Sequence, residues 1–147
     1  MIQQTGVKKS TVAWMWAGLI ALVVVTLVGC STNQSAPTAV PTSYPAEISV
    51  AQASAKREAG VFFLDVREPD EWKQGHIPGS TLIPLGELEK RVNEAPRDKE
   101  IVVVCRSGTR SKAGRNLLIT AGFTQVASMQ GGLNAWKAAG YPTVAGP

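Results

Sequence analysis

Residues 101–111 read IVVVCRSGTRS, and this stretch decides the fold. The apolar run 101–104 has the length and composition of a strand that is buried on both faces of a sheet. It leads directly into Cys105 and a polar loop that contains a glycine, after which the pattern becomes helical. Such a strand-to-helix turn directs backbone N–H groups and a helix N-terminus at one point, where they stabilise an anion, including the thiolate of Cys105.

Outward from this turn, short β-rich runs alternate with helical segments, which is typical of βαβ units with a parallel sheet. We expect strands at 48–50, 61–66, 81–83, 101–104 and 125–128, the first of them at an edge. Helices are expected at 51–59, 70–74, 85–93, 111–121 and 133–139. In the fourth helix, Ser111 can cap the start and Gly122 can end it in a left-handed conformation. Trp72 and Trp136 lie in helical patterns and are expected in the core.

The loop after the central strand combines a thiol with positive charge. Ligands of open parallel α/β sheets bind beyond the carboxyl ends of the strands, which is where Cys105 falls. Gly108 allows the loop to fold back with its N–H groups inward. Opposite charge favours a thiolate, and four cations follow closely: Arg106, Arg110, Lys112 and Arg115. Cys105 is therefore the predicted nucleophile, and its thiolate is expected to form without a histidine base.

Three residues outside the loop are predicted to support it. The only histidine, His76, lies between turn residues, and we expect it to order its own loop by hydrogen bonding. Asp65 and Arg67, at the end of a strand, are expected to pair and to hold neighbouring loops. The sequence shows no cluster of metal ligands and no glycine-rich phosphate loop with its lysine, so no metal site is predicted.

The N-terminal residues predict export. Lys8 and Lys9 precede 18 uncharged residues, 12–29, in the order typical of a secretory signal. Residues 27–30 (LVGC) resemble the bacterial lipobox, in which the cysteine is lipidated and becomes the new N-terminus. We therefore expect a lipoprotein signal peptide over 1–29, a lipid anchor on Cys30, and a domain outside the cytoplasmic membrane, on the periplasmic or cell-surface side. The alternative is an uncleaved membrane anchor, which would also place the domain outside the cytoplasmic membrane.

Residues 30–46 are rich in Ser, Thr and Pro and are predicted to tether a domain at 47–147. Lys8 and Lys9 are two of the 15 cations and all 11 acidic residues follow position 46, so the exported part has a net charge of only +2. Its charges are scattered, and nucleic acid is not an expected partner. With Cys30 lipidated, Cys105 is the one remaining thiol, so no intramolecular disulfide is expected.

Three separated motifs resemble those of the rhodanese family of sulfurtransferases, in its single-domain branch. They are 65–84 (DVREPDEWKQGHIPGSTLIP), 105–111 (CRSGTRS) and 131–142 (GGLNAWKAAGYP). The resemblance extends over 48–142 and implies an α/β fold with a five-stranded parallel sheet flanked by helices on both faces. Trp72 stands where the family more commonly has tyrosine or phenylalanine, and Ser80 where it more commonly has alanine.

The resemblance also implies a reaction. The Cys105 thiolate attacks the outer, sulfane sulfur of a donor such as thiosulfate, sulfite leaves, and a persulfide remains on Cys105. A thiophilic acceptor, a thiol or cyanide, then takes the sulfur, so the kinetics are ping-pong and no cofactor is needed. Arg110, with Arg106, would hold the anionic donor, and loop N–H groups would stabilise the charged sulfur. The implied substrate-binding residues are Arg106, Ser107, Gly108, Thr109, Arg110 and Ser111.

Two other functions stay open at this point. Tyrosine phosphatases and thiol-dependent arsenate reductases also use a cysteine in an anion-binding loop, but phosphatases place five residues between cysteine and arginine, whereas four separate Cys105 from Arg110. The shorter loop suits a sulfur atom better than a tetrahedral phosphate. The second alternative is a sulfur-carrier or binding module that hands its persulfide to one partner protein. Thiosulfate, a polysulfide and a protein persulfide all remain as donors.

Overall fold

The computed structural model describes residues 43–146. Within them, five parallel strands form one sheet in the spatial order β1-β5-β4-β2-β3: β1 Glu47–Ile48, β2 Phe62–Asp65, β3 Thr81–Leu82, β4 Ile101–Val104 and β5 Val126–Met129. The helices of this part of the chain are α1 Val50–Glu58, α2 Pro69–Lys73, α3 Leu85–Arg91, α4 Thr109–Thr120 and α5 Gly132–Ala138, and a short 3₁₀ helix, Val92–Glu94, follows α3.

The core lies on both faces of the central strand β4, because successive side chains of a strand point to opposite faces. Ile101 and Val103 belong to the hydrophobic cluster that contains Leu118 of α4. Val102 and Val104 belong to a second cluster, which contains Trp136 of α5. The predicted fold class, a five-stranded parallel sheet with helices on both faces, is therefore confirmed. Cys105 follows directly at the carboxyl end of β4 and belongs to the first of the two clusters.

Helix α4 begins two residues earlier than its periodicity predicts. Gly108 is its N-cap residue, with φ +99°, and no side chain caps the helix there. The prediction that Ser111 caps this helix is therefore wrong, because the left-handed conformation of Gly108 turns the chain into the helix before Ser111 is reached. At the other end, Gly122 has φ +91°, as predicted for a residue that ends a helix.

The two tryptophans expected in the core are both buried. Trp136 is completely inaccessible to solvent and Trp72 is 9% exposed. The indole N–H of Trp136 donates to the carbonyl of Pro142 at 2.9 Å, which satisfies its polar atom inside the core.

The first described residues already contact the domain. Ala46 accepts a hydrogen bond from the N–H of Ser128 at 2.9 Å, and the Tyr44 hydroxyl donates to the carboxylate of Glu100. The predicted signal at 1–29, the lipidation site Cys30 and the tether up to position 42 lie outside the described residues. Within 43–146, no helix has the length and hydropathy that a membrane span requires.

Candidate active site

The sulfur of Cys105 lies beneath the loop that follows β4. The residue is a free cysteine, and it is only 1% exposed. The backbone N–H of Gly108 donates to Sγ at 3.1 Å, and the hydroxyl oxygen of Ser111 lies 3.6 Å from the sulfur. The structure thus places the predicted nucleophile against a backbone donor, as the strand-to-helix turn predicts.

A hydrogen-bonded pair of buried hydroxyl groups, on Ser111 and Ser128, adjoins the sulfur. Ser111 donates through Oγ to the carbonyl of Gly108 at 2.9 Å, and its Oγ lies 2.8 Å from the Oγ of Ser128 on β5. Both serines are fully buried. Since the single hydroxyl proton of Ser111 serves Gly108, its lone pairs are available to the thiol. Sequence reasoning missed Ser128, because a serine inside an apolar strand carries no motif signal.

The N-terminus of α5 holds the loop from its other side. The N–H of Leu133 donates to the carbonyl of Cys105 at 2.7 Å, and the N–H of Asn134 donates to the carbonyl of Arg106 at 3.0 Å. In a planar trans peptide, the carbonyl and the following N–H point in opposite directions. Because these two carbonyls turn towards α5, the N–H groups of Arg106 and Ser107 turn away from α5.

Helix α4 adds donors at the same place. Its first helical hydrogen bond runs from the N–H of Lys112 to the carbonyl of Gly108, at 3.3 Å. The N–H groups of Thr109, Arg110 and Ser111 therefore have no carbonyl partner within the helix, and the positive end of the helix dipole adds to their field. The loop and the first turn of α4 together form a site suited to a negative charge.

Arg110 is held by an acidic partner that sequence reasoning missed. Its Nη1 and Nη2 donate to Glu71 Oε2 and Oε1 at 2.7 and 2.8 Å, and the two side chains are 33% and 29% exposed. The hydrogen bond from Arg110 lowers the pKa of Glu71 to about 2, and the same contact raises the pKa of Arg110. A guanidinium has five N–H groups, so three remain for a ligand. Glu71 thus fixes the orientation of Arg110 without using up its donors.

Two of the four cations expected near the sulfur are held elsewhere. Lys112 Nζ pairs with Glu47 Oε1 at 2.8 Å, and Arg115 Nε donates to the carbonyl of Val126 at 3.2 Å. The expectation is wrong for these two residues because they follow the first turn of α4, whose rotation carries their side chains towards β1 and β5. Arg106 is exposed and has no acidic partner among residues 43–146.

The remaining predicted loop residues divide by exposure. Ser107 and Thr109 are exposed at the rim, whereas Gly108 and Ser111 are buried around the sulfur. Of these loop residues, only Gly108 and Ser111 form hydrogen bonds with Sγ in the described part of the chain. Ser107 and Thr109 thus lie at the solvent-exposed rim of the loop.

The predicted pair of Asp65 and Arg67 is confirmed. Arg67 donates from Nη2 to Asp65 Oδ2 at 2.7 Å and from Nε to both carboxylate oxygens at 2.9 Å, and both residues are buried. Its terminal nitrogens also donate to the carbonyls of Glu71 and Gly75, each at 3.0 Å. The pair thus ties the end of β2 to helix α2 and to the loop after it, which fixes Glu71.

His76 orders its own loop, as predicted. Its Nδ1 lies 3.3 Å from the carbonyl oxygen of Trp72, and its ring stacks on the Trp72 ring with centroids 3.6 Å apart. Its backbone N–H and carbonyl pair with those of Val144, at 2.8 and 2.9 Å. These contacts, with Trp72 and Val144, give His76 a supporting role.

A cleft of about 270 Å³ opens beside the thiol loop. Its wall comes from three segments: Arg67, Glu71 and Gln74 after β2, Arg106 in the loop, and Leu133, Asn134 and Lys137 in α5. Residues 43–146 contain no group of three or more His, Cys, Asp or Glu side chains that could hold a metal ion. Sequence reasoning missed Asn134 and Lys137, because only the topology brings α5 against the loop.

Comparison with known proteins agrees with this geometry. Residues 49–139 match the model of the Rhodanese-like domain family. Over 91 residues the chain is 38% identical to the thiosulfate sulfurtransferase GlpE of Pseudomonas syringae, a match that covers 62% of this chain and 85% of that protein. Over 73 residues it is 44% identical to the putative sulfur carrier protein YrkF of Bacillus subtilis, which covers 50% of this chain and only 40% of that protein.

A solved structure has the same fold. The crystal structure of a rhodanese-related protein from Thermoplasma volcanium superposes with a TM-score of 0.64 at 35% sequence identity. The superposition covers 68% of this chain and 98% of that one. The five-stranded parallel sheet with its helices is therefore that of a rhodanese.

Replacing Gly132 with alanine tests the clamp on the loop. Gly132 has φ +56°, and an added Cβ would lie 2.3 Å from the carbonyl oxygen of Cys105. Gly140 is the matched control, since its φ is +77° but nothing lies within 4 Å of an added Cβ. Both variants carry the cost of a left-handed alanine, about 1 kcal/mol. We expect Gly132→Ala to lower the free energy of unfolding, measured in urea, by about 2 kcal/mol more than Gly140→Ala. Equal losses would show that α5 does not clamp the loop.

The ion pair of Glu71 and Arg110 predicts a pH dependence of stability. Since the folded pKa of Glu71 is about 2, below its ordinary value of 4.5, the pair stabilises the fold above pH 4.5 and loses this effect as the pH falls towards 2. Glu71→Gln should therefore lower the free energy of unfolding by about 1 kcal/mol at neutral pH, a value that allows for the partial exposure of the Glu71 and Arg110 side chains. This loss should become smaller below pH 4.5.

Urea unfolding of the wild type and of Glu71→Gln between pH 7 and pH 3 measures the difference in their free energies of unfolding. Glu89→Gln is the control, because Glu89 is exposed and has no paired cation within 43–146. A cost of Glu71→Gln that is independent of pH would contradict the pairing.

Proposed function

The chain belongs to the rhodanese-like domain family of sulfurtransferases, and we propose that it moves a sulfane sulfur from thiosulfate or a similar small donor to a thiophilic acceptor. The observation that carries this proposal is the position of Cys105 Sγ, 3.1 Å from the N–H of Gly108 and at the start of α4. A buried thiol with donors on one side is suited to hold a second sulfur as an anion.

The first step forms a persulfide. The Cys105 thiolate attacks the outer sulfur of thiosulfate, the sulfur–sulfur bond of the donor breaks, and sulfite leaves with the bonding electron pair. The transferred sulfur is then bonded to Sγ and carries negative charge. The N–H groups of Thr109, Arg110 and Ser111 stabilise that charge, and the guanidinium groups of Arg106 and Arg110 hold the oxygen atoms of the donor.

The second step returns the enzyme to its starting state. Cyanide or a thiolate attacks the outer sulfur of the persulfide, and the Cys105 thiolate leaves with the bonding pair. Gly108, whose N–H already lies on Sγ, stabilises this leaving group. The two steps together neither gain nor lose electrons, so thiosulfate and the acceptor are the only reactants that the cycle needs.

A sulfur carrier is the second candidate function, and the match with the putative carrier YrkF favours it. In a carrier, the same persulfide forms on Cys105 but passes to one partner protein instead of a small acceptor. The two functions share the first step and differ in the second, so turnover with a small acceptor separates them.

Cys105→Ser should abolish sulfur transfer and leave the fold intact, since a hydroxyl is similar in size to a thiol but forms no anion at neutral pH. After incubation with thiosulfate, the intact mass of the wild-type protein should increase by one sulfur atom and that of the variant should not. With cyanide present, only the wild type should produce thiocyanate. Thiocyanate production by a folded Ser variant would remove Cys105 from the mechanism, and a wild type that forms persulfide without turnover would favour the carrier.

The protein is also proposed to be an exported lipoprotein, with residues 1–29 removed, Cys30 acylated and the domain tethered outside the cytoplasmic membrane. The LVGC sequence at 27–30 after an uncharged run supports this. Mass spectrometry of membrane-extracted protein should find acylated Cys30 at the mature N-terminus, and Cys30→Ala should prevent the cleavage. A mature N-terminus at any other residue would contradict the assignment.

A further inference from the structure

We infer that the cleft beside the thiol loop binds the carboxylate-bearing end of an organic thiol, and that Lys137, with Arg106, selects for this negative charge. The inference rests on the proposed function, because it names the class of acceptor that the Cys105 persulfide meets. It assigns a role to the side chain of Lys137 on helix α5, whose backbone N–H groups already hold the thiol loop.

The charges that line the cleft leave two cations without partners. Arg67 is neutralised by Asp65 at 2.7 Å, and Glu71 is neutralised by Arg110 at 2.7 Å. Lys137 and Arg106 are exposed, and neither has an acidic partner within residues 43–146. The cleft therefore presents a net positive charge to an incoming ligand, and complementary charge raises both its affinity and its rate of association.

The two cations lie at different places along the cleft. Arg106 is part of the thiol loop, directly after the nucleophile in sequence, and contributes to the wall of the cleft. Lys137 lies on α5, and its Nζ is 3.3 Å from the position that a Cβ of Gly75 would take, on the side of the loop after α2. A ligand that reaches from the thiol loop to Lys137 must therefore carry its charge at some distance from its sulfur.

The size and the polarity of the cleft agree with an organic acceptor. At about 30 Å³ for each water molecule, 270 Å³ holds roughly nine waters, which is more than a small inorganic sulfur anion needs. The amides of Gln74 and Asn134 also line the cleft and can donate to carboxylate or carbonyl oxygens. The chemistry of the lining thus favours a thiol with a carboxylate over an apolar thiol.

The transfer to such an acceptor is balanced without a further reactant. The acceptor thiolate attacks the outer sulfur of the Cys105 persulfide and forms a new sulfur–sulfur bond. The bond between the outer sulfur and Sγ breaks, and Cys105 leaves as a thiolate. The transferred sulfur keeps its negative charge, so the products are an organic persulfide anion and the free Cys105 thiolate.

Steady-state kinetics with thiosulfate as donor and two matched acceptors test this assignment. Mercaptopropionate carries a carboxylate, and mercaptoethanol has a neutral hydroxyl in its place. In a ping-pong reaction, kcat/KM for the acceptor reports only the second step, so the ratio of the two values, each corrected for its thiolate fraction, isolates the recognition of charge. The wild type should prefer mercaptopropionate, and added salt should weaken this preference.

Lys137→Gln should lower the ratio about three- to tenfold, and Lys137→Glu should lower it further. The matched control is Lys73→Gln, which removes an exposed lysine that lies outside the cleft, 3.7 Å from Asp70, and should leave the ratio unchanged. An unchanged ratio in both Lys137 variants, with thiocyanate production from cyanide intact in the wild type, would overturn the cleft assignment alone. A wild type that transfers sulfur neither to cyanide nor to either thiol would overturn the proposed function and the cleft assignment together.

Discussion

The site depends on two hydrogen bonds, from the N–H groups of Leu133 and Asn134 to the carbonyls of Cys105 and Arg106. They are possible because Gly132 brings α5 closer to the loop than any side chain allows. Once these carbonyls are held, peptide planarity turns the following N–H groups to the other side, and the left-handed Gly108 adds its own N–H on the sulfur. A backbone constraint, more than any single side chain, thus shapes a site suited to a negative charge.

Ion pairs then determine which charges a ligand meets. The buried pair of Asp65 and Arg67 anchors the loop around α2, and this positions Glu71 to hold Arg110. Because Glu71 neutralises much of the charge of Arg110, the field at the entrance depends strongly on cations that have no such partner. Within residues 43–146, Arg110 is thus oriented by Glu71, whereas Arg106 is exposed and has no acidic partner.

Much of this could be predicted from the sequence, because strand β4, the thiol loop and helix α4 are local in the chain. The alternation of strands and helices predicts the parallel sheet. The position of Cys105 at the carboxyl end of a strand predicts that it lies where a ligand binds. Periodicity predicts a start of α4 at Ser111, two residues late, because it does not register a turn made by the φ of one glycine, Gly108. Glu71 and Ser128 were missed because their roles arise from contacts 39 and 17 residues away in the sequence, which only the tertiary structure creates.

The central claim is that the backbone of the thiol loop stabilises a sulfur anion on Cys105. Two-dimensional amide NMR spectra of the protein before and after one equivalent of thiosulfate, without acceptor, test it most directly. The account predicts that the largest changes in amide chemical shift fall on residues 106–111, Gly108 among them, and that they reverse when cyanide removes the sulfur. A persulfide that forms on Cys105 while these amides keep their shifts would contradict it.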